Sequence, residues 1–121
     1  MGNGLFVSSS SKEMADVILL GAPYDRTVSY RRGSAKGPAA ILSALDTQIE
    51  RFERFTHSNP AASCHIARHM LSSLNRLSPP AMVARVEREY GALLKGNAFV
   101  LMLGGEHSVT NGALRALSSR Y

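Results

Sequence analysis

Three side chains capable of acid–base or ligand chemistry stand in a row at Glu106, His107 and Ser108, directly behind the pair Gly104-Gly105. An apolar run of strand length, Phe99 to Leu103, leads into the glycines. A strand that ends on two glycines and is followed at once by polar groups is how open α/β sheets deliver functional residues at their carboxyl ends. Glycine lets the chain turn sharply there and come close to a ligand. His107 is thereby expected at the mouth of the sheet, as a ligand or an acid/base group would be. Ser108 has no evident His–Asp partner, so a serine hydrolase finds little support. It is expected instead to cap the helix that follows.

Other chemistry-bearing residues are weaker. Asp25 lies just past a second apolar run, so it could reach a cleft, although local hydrogen bonding within a loop is an equally good use of it. Arg31 and Arg32 could hold an anion or enter structural or intersubunit ion pairs, and the sequence does not choose between these. His65 and His69 are four residues apart, which on a helix is metal spacing. On a strand they would stand roughly 13 Å apart and could not share an ion. His57 is expected to be solvated. Neither Gly21-Ala22-Pro23 nor Gly104-Gly105 belongs to a G-x-G-x-x-G pattern, so a dinucleotide site is not indicated.

The elements that must position these residues alternate. Residues 1–16 read as a loose lead-in, with Ser8-Ser9-Ser10-Ser11 its least structured part. Val17 to Leu20 forms a buried strand that stops at Gly21-Ala22-Pro23. After a polar loop, Gly37-Pro38 opens a helix with Ile41, Leu45, Ile49 and Phe52 inward, fraying near Phe55. His65 to Leu71 reads as a second strand. Ser78-Pro79-Pro80 starts another helix, with Met82, Val86, Tyr90, Leu93 and Leu94 as its apolar stripe, stopped by Gly96. Ala98 to Leu103 is the third strand, and the last helix turns Val109, Ala113, Leu114 and Leu117 inward. The order β-α-β-α-β-α predicts an α/β fold, a parallel sheet with helices on both faces.

With 121 residues, the chain is one domain at most, and its hydrophobic content of 45% suits a globular fold. A single cysteine, Cys64, excludes an intrachain disulfide and suits a reducing cytoplasm. No apolar run approaches a membrane span, and no signal peptide is recognisable in the first residues. The net charge of +5 is spread along the chain without basic–aromatic interleaving, so neither nucleic acid nor membrane is expected as a partner.

Two stretches together resemble the ureohydrolase family, the arginases and agmatinases. One is Gly21-Ala22-Pro23-Tyr24-Asp25 with Ser29-Tyr30-Arg31-Arg32-Gly33-Ser34-Ala35-Lys36-Gly37-Pro38-Ala39-Ala40-Ile41. The other, Leu103-Gly104-Gly105-Glu106-His107-Ser108-Val109-Thr110, resembles the family's Gly-Gly-Asp/Glu-His-Ser signature. The spacing is most similar to that of bacterial agmatinases, over residues 17–121, which correspond to the N-terminal portion of such an enzyme. Thr27 and Arg32 depart from the pattern, where Gly and Pro would stand.

The resemblance implies an arginase-like three-layer fold, incomplete in this chain. It also implies a pair of manganese ions that activate a bridging hydroxide, a small-molecule guanidino substrate such as agmatine, and a homo-oligomer. His107 matches the family's metal ligand. Glu106, Gly104, Gly105 and Ser108 are read as supporting residues, and no catalytic residue is assigned. A hard divalent ion wants roughly six oxygen or nitrogen ligands, yet no Asp, Glu or His follows His107. The chain alone is therefore expected to be inactive. It is read as belonging to a longer protein, the alternative being a truncated, non-catalytic remnant or a subunit-interaction fragment. Three parallel strands are also expected to leave an apolar edge bare.

Overall fold

The central strand is apolar along almost its whole length because both of its faces are covered. In the computed structural model, which describes residues 14–48, 50 and 52–121, β1 (Val17–Ala22) buries five of its six residues. It lies between β2 (Ile66–Met70) and β3 (Phe99–Gly104), and both pairings are parallel, giving the order β2-β1-β3. Val17 stands level with Ile66 and Phe99, and Gly21 with Met70 and Leu103. A buried strand flanked on both sides needs the continuous run that Val17 to Leu20 supplies. The expected α/β fold and the strand at 66–70 are thus found.

Side chains alternate across the sheet. Leu20, Ala22 and Val100 join one core with Met82, Val86 and Tyr90 of α2 (Pro79–Leu93) and with Val109, Ala113 and Ala116. The last two belong to α3 (Thr110–Ser118). Positions 82, 86 and 90 are the expected α2 stripe, begun by the two prolines in its first turn. Tyr90 closes the layer by donating its hydroxyl to the buried Val100 carbonyl at 3.3 Å. On the opposite face α1 (Gly37–Thr47) packs against β1 and β3 through Pro38 and Leu42. This face is the barer one: Phe99 is 67% and Leu101 46% exposed.

Three expectations need correction. The first helix ends at Thr47, well short of Phe55. Beyond it the Glu53 carboxylate accepts the backbone N–H groups of Phe55 and Thr56 at 3.0 and 2.6 Å, a local turn that competes with helix. Its apolar stripe is also displaced. Leu42 is buried, whereas Ile41 and Phe52 are exposed, and Ile49 lies outside the described residues. In α3, Leu114 points outward, and the inward side is Gly112, Ala113 and Ala116. There α2 runs too close for a leucine, since a Cβ on Gly112 would stand 2.6 Å from Val86 Cβ. The lead-in at 1–16 lies outside the described residues as far as residue 13.

Candidate functional site

The β1–β3 ladder does not stop where the strands do. The Gly105 N–H reaches the Ala22 carbonyl at 3.1 Å, and the Glu106 N–H reaches that of Tyr24 at 2.8 Å. This pairing brings the loop after β1 against the turn after β3. Gly105 is the price of that closeness, because a Cβ there would sit 2.1 Å from the Tyr24 carbonyl oxygen. Gly104 is less constrained: a Cβ there would meet the Val109 side chain at 2.9 Å and the Glu106 carbonyl oxygen at an ordinary 3.8 Å. Tyr24 is fully buried and donates its hydroxyl to the Leu77 carbonyl at 3.2 Å, fixing the base of the loop.

Glu106 ties the two segments together. Its carboxylate accepts the Thr27 N–H at 2.9 Å, the Thr27 hydroxyl and the Ser108 hydroxyl. Burial pushes this carboxyl up. The hydrogen bonds from Ser108 and Thr27 outweigh that and hold it below the ordinary carboxylate value, while the Asp25 charge acts weakly upward. Ser108 therefore serves Glu106, a correction to its expected role as helix cap, because no side chain caps the turn at His107–Val109 or α3. Thr27 was marked only as a departure from a pattern. It proves to be the partner of Glu106, 79 positions away in sequence, a distance no local signal spans.

Asp25 is equally occupied. It is 5% exposed. One carboxylate oxygen accepts the Gly33 N–H at 2.7 Å and that of Ala35 at 3.4 Å, and the other accepts the Asn75 side-chain amide at 2.9 Å. The Gly33 and Asn75 bonds hold its carboxyl below the usual range against the opposing effect of burial. Gly33 itself sits at φ 132°, a conformation that favours glycine. Asp25 is bound into the loop's interior. Asn75, which also accepts the Asp25 N–H at 2.8 Å, carried no signal in the sequence.

His107 differs from both acids. It is exposed at the first position of a 3-10 turn, His107–Val109, at the carboxyl end of β3. It lines a surface groove with its neighbours Glu106 and Ser108 and with Thr27, Ser29, Tyr30 and Arg31 of the opposite loop. His65 and His69 are apart from this place and from each other in their contacts: His65 Nδ1 lies 3.4 Å from Asp16, and His69 Nε2 lies 3.7 Å from Glu89. His57 is exposed and edge-on to Phe52.

The donor set does not by itself fit a manganese pair. Among the described residues no three His, Cys, Asp or Glu side chains gather to hold an ion. The two carboxylates at this end of the sheet are already bound within the loops. His107 offers one imidazole. Among the described residues, no helix is long and apolar enough to cross a membrane.

Comparison with known proteins gives a consistent result. The sequence model of the Arginase family matches residues 15–121. The chain is 34% identical over 107 residues to the N(1)-aminopropylagmatine ureohydrolase of Synechocystis sp., covering 85% of this chain and 35% of that protein. Among solved structures, the agmatine ureohydrolase of Thermoplasma volcanium superposes with a TM-score of 0.74 at 29% identity, covering 96% of this chain and 39% of that one. The Trypanosoma cruzi formiminoglutamase solved with two Mn2+ gives a TM-score of 0.78 over 97% of this chain and 40% of that one; at 20% identity this is a likeness of fold. The chain thus spans little more than a third of the length of the proteins it matches.

Proposed function

The chain belongs to the Arginase family, and from that premise we propose that it forms part of a manganese-dependent hydrolase that converts a guanidinium group to urea and an amine. Agmatine, giving putrescine and urea, is the reference substrate that the resemblance to agmatinases names. The proposal itself is made at the level of the guanidinium, which substrates of this kind share. His107 is the residue we assign to the metal, as one imidazole ligand. The observation that carries the reading is its placement: exposed at the carboxyl end of β3, on a turn whose backbone is locked to the loop after β1. Open α/β sheets bind ligands at that end. Glu106, Gly104, Gly105 and Ser108 build the turn, and Asp25 builds the loop facing it.

Because the described residues supply one ligand, the remaining donors must come from outside them. A homo-oligomer in a reducing cytoplasm is part of the same proposal. A second reading is favoured by the same count of donors: a non-catalytic chain that associates with another subunit.

The two separate on one assay. The intact protein is loaded with manganese and urea release from agmatine and other guanidino compounds is followed, with and without His107→Ala. The enzyme reading expects urea from the parent protein and a loss of about a hundredfold in the variant, the upper end of what disturbing even the groups behind a metal ligand costs. Absence of urea from every compound, or full activity in the variant, overturns it.

A further inference from the structure

At the amino ends of the strands, the opposite end of the sheet from His107, a second and smaller core is underfilled. Ala15, Ile18 and Ala67 are buried there, and Leu93 and Ala98 pack against them. Three of these five are alanines, so little volume occupies the space. A cavity of about 360 Å³ opens beside them, walled by Ala15, Ile18, Ala92, Leu93 and Ala98, with Lys95 and Asn97 adding polar groups. Apolar walls left facing water forgo the contacts that a seated side chain would make.

The chain enters the fold at this cavity. Asp16 is fixed between the outer strands, its N–H donating to the His65 carbonyl and its carbonyl accepting the Phe99 N–H, both at 2.8 Å. Ala15, one residue earlier, is already part of the cavity wall. The described residues begin at Met14, and the sequence ahead of it holds an unbroken apolar triplet, Leu5-Phe6-Val7. A polar tether follows, Ser8-Ser9-Ser10-Ser11-Lys12-Glu13. Drawn out fully, the chain from Val7 to Met14 reaches at most about 25 Å. That is ample for a return to a cavity bordered by Ala15, and a tether this short adds little closure entropy.

We propose that Leu5-Phe6-Val7 folds back and seats in this cavity with Phe6 as the anchor, making the N-terminal segment a strap across the foot of the sheet. A phenylalanine brings a large apolar area to a site walled by small side chains. Its burial and that of the walls are favourable together. Lys95 and Asn97 supply donors for backbone carbonyls of the strap, and Asn97 an acceptor for an N–H. The inference does not depend on the proposed hydrolysis, since the strap lies at the other end of the strands from His107.

The test places a photoreactive benzoylphenylalanine at position 6 of the intact protein. Irradiation should cross-link it to residues 92–98 or 15–18, located by mass spectrometry. A mixture of isotopically labelled and unlabelled protein distinguishes a link within one chain from a link between two copies. In parallel, Phe6→Ser is expected to lower the melting temperature by a few degrees, while Ser9→Ala leaves it unchanged. Filling the cavity with Ala98→Leu should make Phe6→Ser nearly silent, because both act on one space. Links only outside the cavity wall, links between copies, no link, an unchanged melt in Phe6→Ser, or fully additive losses in the double variant overturns the proposal. The cross-link decides the matter even if Ala98→Leu does not fold.

Discussion

Among the charged and titratable residues at the carboxyl end of the sheet, two acids contrast with two bases. Asp25 is buried and Glu106 is half-buried on the wall of the groove, and every oxygen of their carboxylates accepts at least one hydrogen bond from the segments they join. His107 and Arg31 are exposed, on opposite walls of one groove. By residue type alone the acids are the better manganese ligands. Their surroundings have turned them into scaffold, and the imidazole and guanidinium are left facing solvent. Adjacent residues on one turn, Glu106 and His107, can therefore answer to different constraints: one to folding, the other to chemistry.

The contrast is broken hardest by removing the close approach on which it depends. Gly105→Ala pushes a Cβ into the Tyr24 backbone, so it is expected to cost on the order of 3 kcal/mol or more of stability. Gly104→Ala, opposed by a side chain that can shift, is expected to cost about 1 kcal/mol. Chemical denaturation of the two variants measures the difference; equal costs would show that the backbone pairing at Gly105 is not tight.

Next come the scaffold acids. Asp25→Ala leaves the Gly33 and Ala35 N–H groups and the Asn75 amide without their acceptor, and a clear drop in melting temperature is expected. Glu106→Gln keeps the shape but weakens bonds to a charged acceptor, at about 1 kcal/mol. Both carboxyls are held below their ordinary values in the folded chain. Their contribution is present above the unfolded carboxyl value near pH 4 and is lost as pH falls through the depressed folded values. Denaturation midpoints measured from about pH 6 downwards should therefore fall with acid in the parent. The fall should be shallower in Asp25→Asn and Glu106→Gln, and an unchanged acid limb would mean these hydrogen bonds do not stabilise the fold. The smallest effect belongs to the exposed pair. His107→Ala and Arg31→Ala should each change stability by less than about 0.5 kcal/mol, as surface substitutions do. A larger loss would place them with the scaffold.

The strands were legible because burial on both faces leaves a mark that a few consecutive residues can carry, as in Val17 to Leu20. The α2 stripe at Met82, Val86 and Tyr90 was legible for the same reason at helical spacing. The inward face of α3 was misread at Leu114 because the space available there is set by how near α2 comes, and helix separation is not written in α3's own periodicity. Beyond the early end of α1, Glu53 bonds its neighbours in a local turn, which hydrophobic spacing ignores. At the site, the glycine pair and the histidine turn were visible as a local pattern. The pairing of Thr27 with Glu106 and of Asn75 with Asp25 was not, since each joins residues 50 or more apart in the chain.

The most direct test of this division is the manganese content of the intact protein with His107→Ala, set beside its thermal melt and those of the Glu106→Gln variant. His107→Ala is expected to lose manganese while melting at the parent temperature, and Glu106→Gln is expected to melt lower. If His107→Ala keeps its full manganese, or unfolds as Glu106→Gln does, the imidazole belongs to the scaffold and the assignment of His107 to the metal is wrong.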